Sequence, residues 1–192
     1  MLREKLSEYS IILASGSPRR QQFFKDLDIP FSIQLKEVEE IYPEDLMAEE
    51  ITDYLARLKS QQFTEIQDNE VVITSDTIVW LNERALGKPK NYNDAFLMLQ
   101  SLSGRSHDVY TSICIKTKNN EKVISDCTKV YFKELSDKEI HYYLKEYKPF
   151  DKAGSYGIQD WIGLIGIDKI EGSYFNVMGL PVHKLYKELM KL

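Results

Sequence analysis

The order of strand-like and helix-like segments predicts an α/β protein built on a mixed sheet rather than a doubly wound parallel one. Three observations carry that expectation. Ile11-Ile12-Leu13-Ala14 followed by Ser15-Gly16-Ser17-Pro18 reads as a buried strand, a tight turn and a helix start. Val71-Val72-Ile73-Thr74 reads as a second short apolar strand. Residues 109–116 and 122–132 alternate on either side of a polar turn at Asn119-Asn120, the pattern of a hairpin.

The other elements follow along the chain. Residues 18–27 read as a helix with Phe23, Phe24 and Leu27 on its apolar side, and residues 31–35 as a strand. Met47, Ile51, Tyr54, Leu55 and Leu58 recur at helical spacing, which predicts a long helix over 43–63. The strand at 71–74 runs into Ser75-Asp76-Thr77, and residues 78–81 continue extended until Asn82-Glu83 turns the chain. Gly87-Lys88-Pro89 is a rigid connector before a helix over 93–102. Ser136 and Glu139 form a capping box that opens a helix ending before Pro149. A glycine-rich region comes next, then an extended stretch over 161–170, and Gly179-Leu180-Pro181 starts a C-terminal helix.

Composition narrows the function. The 192 residues suffice for one domain with a sizeable core, or one drawn out into two lobes. A hydrophobic content of 43% with 29% charged residues is that of a globular protein. A net charge of -5 argues against a broad nucleic-acid or anionic-membrane surface, so an anionic substrate has to be captured in a local basic pocket. Cys114 and Cys127 form neither a metal-spaced pair nor a disulfide framework, and each is expected as a buried free thiol in a strand. The polar start Met1-Leu2-Arg3-Glu4-Lys5 does not read as a signal peptide, and no apolar run would span a bilayer, so a cytoplasmic setting is expected.

The stretch at 11–20 also carries chemistry. Gly16 is expected to permit the turn, Ser17 to cap the helix and Pro18 to take its first position. The helix start attracts anions, and Arg19 and Arg20 add planar, permanently charged forks suited to phosphate oxygens. Ser-Pro-Arg-Arg by itself reads as a capped surface helix; its strand–turn–helix context favours a phosphate site. Asp76, at the expected end of a buried strand, is placed to hold a divalent metal or take a proton from water, and equally to cap the next turn. Glu39 and Glu40 lie in an acidic run that is solvated unless a metal recruits a second carboxylate. Lys59 and Lys88 are ordinary surface charges or phosphate contacts, with Lys88 fixed by its glycine and proline neighbours. Gln159, after Gly154 and Gly157, offers a donor and an acceptor to a nucleobase edge, or is a surface glutamine on a structural turn. His107, His141 and His183 form no ligand-like pair, and neither a P-loop nor a dinucleotide fingerprint is present.

Taken together these motifs resemble the Maf family of nucleoside triphosphate pyrophosphatases. The matching pieces are Ala14-Ser15-Gly16-Ser17-Pro18-Arg19-Arg20, Val38-Glu39-Glu40, Leu55-Ala56-Arg57-Leu58-Lys59, Ser75-Asp76-Thr77 and Gly87-Lys88-Pro89. They continue with Leu102-Ser103-Gly104-Arg105-Ser106-His107, the run from Asp151 to Gln159, and Val177-Met178-Gly179-Leu180-Pro181. The set covers nearly the whole chain, and its order is far more specific than any one motif.

The resemblance implies a single domain over 1–192, with an elongated mixed central sheet flanked by helices and two lobes around a cleft. It implies hydrolysis of a nucleoside triphosphate between the α and β phosphates with a divalent metal, magnesium or manganese. Asp76 falls on the family's catalytic aspartate and, with Glu40, on the metal positions. Ser15, Arg19, Arg20, Lys59, Thr77, Lys88 and Gln159 fall on substrate-contacting positions. Arg19, Thr77 and Gln159 match the branch acting on dTTP and UTP. The expected partner is the nucleotide, without nucleic acid polymer or membrane, and with a homodimer as the candidate assembly. Ser75 and Ser60 stand where the family usually has alanine, and Asp160-Trp161 where it usually has glycine. A nucleotide-binding regulator of septum formation with little hydrolysis is the rival reading; retention of both Asp76 and Glu40 favours the enzyme. A phosphomonoesterase is disfavoured, because no histidine or cysteine nucleophile sits in a phosphate-cradling loop.

Overall fold

Residues 1–192 are described by a computed structural model. A short helix α1 (Leu2–Lys5) precedes strand β1 (Ser10–Leu13), helix α2 (Pro18–Asp26), strand β2 (Phe31–Ile33) and helix α3 (Glu49–Gln61). Strand β3 (Glu70–Leu81) and strand β4 (Arg84–Leu86) are followed by helix α4 (Tyr92–Leu102) and the long strands β5 (Ser106–Lys116) and β6 (Glu121–Phe132). Helix α5 (Asp137–Tyr147), a single 3-10 turn (Ala153–Ser155), helix α6 (Trp161–Gly166), strand β7 (Ile167–Glu171), helix α7 (Tyr174–Val177) and helix α8 (Val182–Leu189) complete the chain. No helix is long and apolar enough to cross a membrane.

The seven strands form one sheet in the order β2-β1-β3-β5-β6-β7, with β4 on β3. It is mixed, as expected: β1 pairs in parallel with β2 and β3, whereas β3–β4 and β6–β7 are antiparallel. Asn82 and Glu83 both take positive φ, 50° and 60°, which is the geometry that joins β3 to β4 in a two-residue hairpin. The chain gathers into two compact units. The first holds Met1–Asp76, Thr111–Asp126 and Gly179–Leu192; the second holds Thr77–Tyr110 and Cys127–Met178.

In the first unit β1 and the start of β3 bury Ile11, Leu13, Val71 and Ile73 completely or nearly so. Phe24 of α2 is fully buried and meets Phe31 edge-on at 5.3 Å between ring centroids. The Thr74 hydroxyl donates to the Ala56 carbonyl at 2.6 Å, which ties α3 to β3. In the second unit Leu99 and Leu102 of α4, Ile140 and Leu144 of α5, and Val130 and Phe132 of β6 make one apolar cluster. The capping box of α5 forms as expected: Glu139 N–H donates to Ser136 Oγ at 3.3 Å, and Ser136 N–H to Glu139 Oε2 at 2.7 Å.

Several local expectations are corrected. The helix read over 43–63 begins only at Glu49, because Ala48 takes φ 50° and ψ -118°, outside helical space; Met47 is therefore off the helix and exposed. The stretch read as extended over 161–170 is a helix up to Gly166 and a strand only after it. A short apolar run fits both states, and the bond from Gly163 N–H to the Asp160 carbonyl, 2.9 Å, closes the turn. Cys114 is buried, but Cys127 is exposed. Ser17 sits at the N-cap of α2 without a side-chain cap bond; its own N–H donates to Ser15 Oγ at 3.3 Å. Gly16 stays outside the left-handed region, and a Cβ there would meet only Leu35 Cδ1 at 3.7 Å, so the turn does not need glycine for its conformation. Gly154 does: its φ is 65°, and an added Cβ would lie 2.8 Å from Val79 Cγ2.

His107 gives the second unit a pH dependence. Its Nε2 lies 2.7 Å from Tyr156 Oη, and its ring packs edge-on against Phe132 and Tyr156. Burial pulls the imidazole from 6.5 down to about 4. Between those values the unfolded chain binds a proton that the folded chain refuses, so stability is complete above 6.5 and falls as pH drops toward 4. The expected loss approaches ~3 kcal/mol. Urea unfolding of the wild type and His107→Gln at pH 7, 5.5 and 4 checks this: the wild type's advantage should shrink by about that amount across the series. A constant difference would contradict it.

Candidate active site

Asp76 lies inside β3, not at its end. β1 accompanies β3 only as far as Leu13 opposite Ile73, and β4 joins it only from Val79. Asp76 occupies the interval between these two neighbours, immediately after β1 turns away through Ser15 and Gly16. This is a correction to the strand-end reading: Ser75-Asp76-Thr77 stays extended, so the triplet is not a turn cap.

Two carboxylates converge on one ammonium. Lys59 Nζ, from α3, stands 2.5 Å from Asp76 Oδ1 and 2.9 Å from Glu40 Oε1. Asp76 is only 7% exposed, whereas Glu40 lies on an open loop and is well exposed. Burial pushes the Asp76 carboxyl above its ordinary range, against the pull of Lys59 and Arg20, and Glu40 adds to the rise. An aspartate so placed is a stronger base than one in water.

Arg20 is built in rather than waving from the helix. Its Nε donates to the Gly179 carbonyl at 2.8 Å, and Nη1 donates to the Ser75 carbonyl at 2.9 Å and to Ser15 Oγ at 3.4 Å. Ser15 itself is buried, and its hydroxyl accepts from both Arg20 and the Ser17 N–H. One guanidinium thus links the start of α2, the residue before Asp76 and the segment leading into α8. Burial and the neighbouring Arg19 lower its pKa to about 10, while Asp76 and Glu40 act to raise it, so it stays charged at neutral pH. Arg19 is on the same helix turn and half-buried.

The first unit therefore brings together Ser15, Arg19, Arg20, Glu40, Lys59 and Asp76. The remaining predicted residues belong to the second. Thr77 follows Asp76 on β3 and is half-buried. Lys88 is exposed, on a connector held in place by the bond from Gly154 N–H to the Gly87 carbonyl, 3.0 Å. Gln159 Nε2 donates to Asp160 Oδ1 at 3.1 Å, and its Oε1 is buried with no hydrogen-bond donor.

Sequence reasoning missed two participants. The Gly179 carbonyl holds Arg20 through a backbone atom 159 positions away, which no side-chain pattern encodes. Tyr143 bonds Asp160 Oδ2 at 2.7 Å through its hydroxyl, and its position on the buried face of α5 was the available signal.

A divalent metal needs at least one hard oxygen ligand here, and the donor set supplies two. Nowhere does the chain gather three or more His, Cys, Asp or Glu side chains suited to an ion. Asp76 and Glu40 already converge on one cation, the Lys59 ammonium, so these two hard oxygen donors are the residues that would serve a divalent ion.

The sequence profile described as Maf-like protein matches residues 10–192. A dTTP/UTP pyrophosphatase of Flavobacterium psychrophilum is 61% identical over 191 residues, 99% of this chain and 98% of the relative. One of Flavobacterium johnsoniae is 59% identical over 193 residues, with both chains fully covered. Among solved structures, a HAM1 protein from Coxiella burnetii aligns over 96% of this chain and 100% of its own, with a TM-score of 0.52 and 16% identity. The Staphylococcus aureus Ham1 protein aligns over 93% of this chain and 99% of its own, with a TM-score of 0.50 and 16% identity. The two structural likenesses concern the fold alone, while the profile and the close relatives place the sequence: the chain belongs to the Maf-like protein family.

Proposed function

We propose that the chain is a nucleoside triphosphate pyrophosphatase that converts dTTP and UTP to the monophosphate and pyrophosphate. The observation that carries the reading is the convergence of Asp76 and Glu40 on Lys59, next to the built-in Arg20. The relatives' shared activity supports it.

In this reading Arg20, Lys59 and Lys88 neutralise the polyphosphate, and Asp76 takes the proton of the attacking water. The water oxygen bonds to the α phosphorus, the bond from that phosphorus to the α–β bridging oxygen breaks, and pyrophosphate leaves with the electron pair. Asp76 and Glu40 would hold a divalent cation, magnesium or manganese. When bound, that ion supplies Lewis-acid polarisation of the phosphoryl oxygens. Ser15 shapes the turn under the phosphates, and Arg19, Thr77 and Gln159 select the base. The only partner the reading requires is the nucleotide, drawn from the cytoplasmic pool.

Uracil and thymine present two carbonyl acceptors around one N–H, which a glutamine amide answers with one acceptor and one donor. A site that hydrogen-bonds its substrate rejects bases that leave polar groups unpaired. Pyrophosphate release from dTTP and UTP should therefore exceed that from ATP and GTP by ~100-fold or more in kcat/KM. Gln159→Glu should erode the preference, because it replaces the amide donor with a charge beside Asp160. Purine triphosphates as the better substrates of the wild type would overturn the assignment.

A further inference from the structure

Gln159 does not hang freely: its amide is locked by a chain of three hydrogen bonds. The Gly157 N–H donates to Tyr143 Oη at 3.0 Å, Tyr143 Oη donates to Asp160 Oδ2 at 2.7 Å, and Asp160 Oδ1 accepts from Gln159 Nε2 at 3.1 Å. The tyrosine proton is committed, since burial and the adjacent Asp160 both push its pKa up. A carboxylate oxygen can only accept, so the amide group facing it has to be the NH2. That choice leaves Gln159 Oε1 on the other side, buried and without a donor from the chain. An acceptor kept in this state is costly by itself and becomes favourable only when a ligand supplies the missing N–H.

Gly157 keeps the cluster tight. A Cβ at that position would fall 2.7 Å from Asp160 Oδ2 and 2.8 Å from Gln159 Nε2, so a larger residue would break the chain of bonds where it turns. Lys152 Nζ stands 3.9 Å from Asp160 Oδ2 and sets a positive charge beside the carboxylate.

We propose that Asp160, oriented by Tyr143, is a positioning residue that fixes the Gln159 amide with Oε1 as the acceptor for the N3–H of a uracil or thymine ring. This inference rests on the pyrimidine reading above and supplies its physical cause. One NH2 hydrogen is committed to Asp160 and the other can meet a ring carbonyl. Cytosine, whose N3 is itself an acceptor, would place a lone pair against Oε1. Only a flipped amide would suit it, and Asp160 opposes the flip.

The test compares UTP with CTP in the wild type, Asp160→Asn and Tyr143→Phe, each with its metal ion, recording KM and kcat separately. An asparagine can accept or donate, so the lock is lost with little change in shape. The preference for UTP over CTP should fall ~10–100-fold in Asp160→Asn, and in the same direction but less in Tyr143→Phe. The change should lie in a higher KM for UTP and a lower one for CTP, with kcat for UTP and the inhibition constant of inorganic pyrophosphate close to wild type. If both variants keep the wild-type UTP-to-CTP ratio while the wild type still favours dTTP and UTP over purines, the positioning role is overturned and the pyrimidine reading stands. Equal losses on both nucleotides would also overturn it, as the signature of a merely structural residue. A wild type without pyrimidine preference would remove both readings together. Should Asp160→Asn fail to fold, Tyr143→Phe, which removes a single oxygen, carries the same comparison.

Discussion

Asp76→Asn is expected to lower turnover of dTTP and UTP by about two to four orders of magnitude while leaving the fold intact. Asparagine keeps the shape and can still face Lys59, but it cannot take a proton and is a far poorer ligand for a hard cation. The substitution removes the desolvation cost that raises the Asp76 pKa but also deprives Lys59 of one of its two carboxylates, so two opposed effects act on stability and it should not fall in step with activity. That separation distinguishes a catalytic carboxylate from a structural one. Urea unfolding and steady-state turnover on the same preparation check it. A well-folded variant within a few-fold of wild-type activity would remove Asp76 from the chemistry.

Arg20→Ala should carry the second-largest effect and should harm both binding and stability. The guanidinium donates to the Gly179 and Ser75 carbonyls and to the Ser15 hydroxyl. Its loss takes charge-assisted donors from two carbonyls at once, at a cost of about 1–3 kcal/mol. It also removes a permanent charge beside the carboxylate pair, for which a fall of about 10–100-fold in kcat/KM is expected. Arg20→Lys should restore little, because an ammonium on a flexible stem cannot reproduce the fork that spans both carbonyls. Full recovery with lysine would show that charge alone matters at this position.

The contrast between Arg20 and Asp76 shows what the sequence made legible. The strand–turn–helix at 11–20 was readable because each residue type acts locally, apolar residues filling a strand and proline opening a helix. Asp76 was readable as chemistry, but its place was not, since the end of a neighbouring strand opens the interval around it and Ser75-Asp76-Thr77 contains no turn signal. The apolar period from Met47 to Leu58 ran past the true start of α3 because one backbone angle at Ala48, invisible to periodicity, sets that boundary. Trp161 to Ile170 failed for the converse reason: a run that is apolar in nearly every direction has no period to distinguish helix from strand. The carboxylate pair on Lys59 was legible only as separate candidates, for their meeting depends on a loop, a helix and a strand folding onto one another. The Gly179 carbonyl was illegible as a partner of Arg20 because its role is a backbone contact, and Tyr143 was legible only as a buried position on α5.

The most direct test of the central claim is hydrolysis of dTTP in water enriched in oxygen-18, with the products separated and weighed by mass spectrometry. Attack at the α phosphorus predicts pyrophosphate as the released product and one labelled oxygen in the monophosphate. Label in the pyrophosphate, or release of orthophosphate with dTDP, would contradict the account.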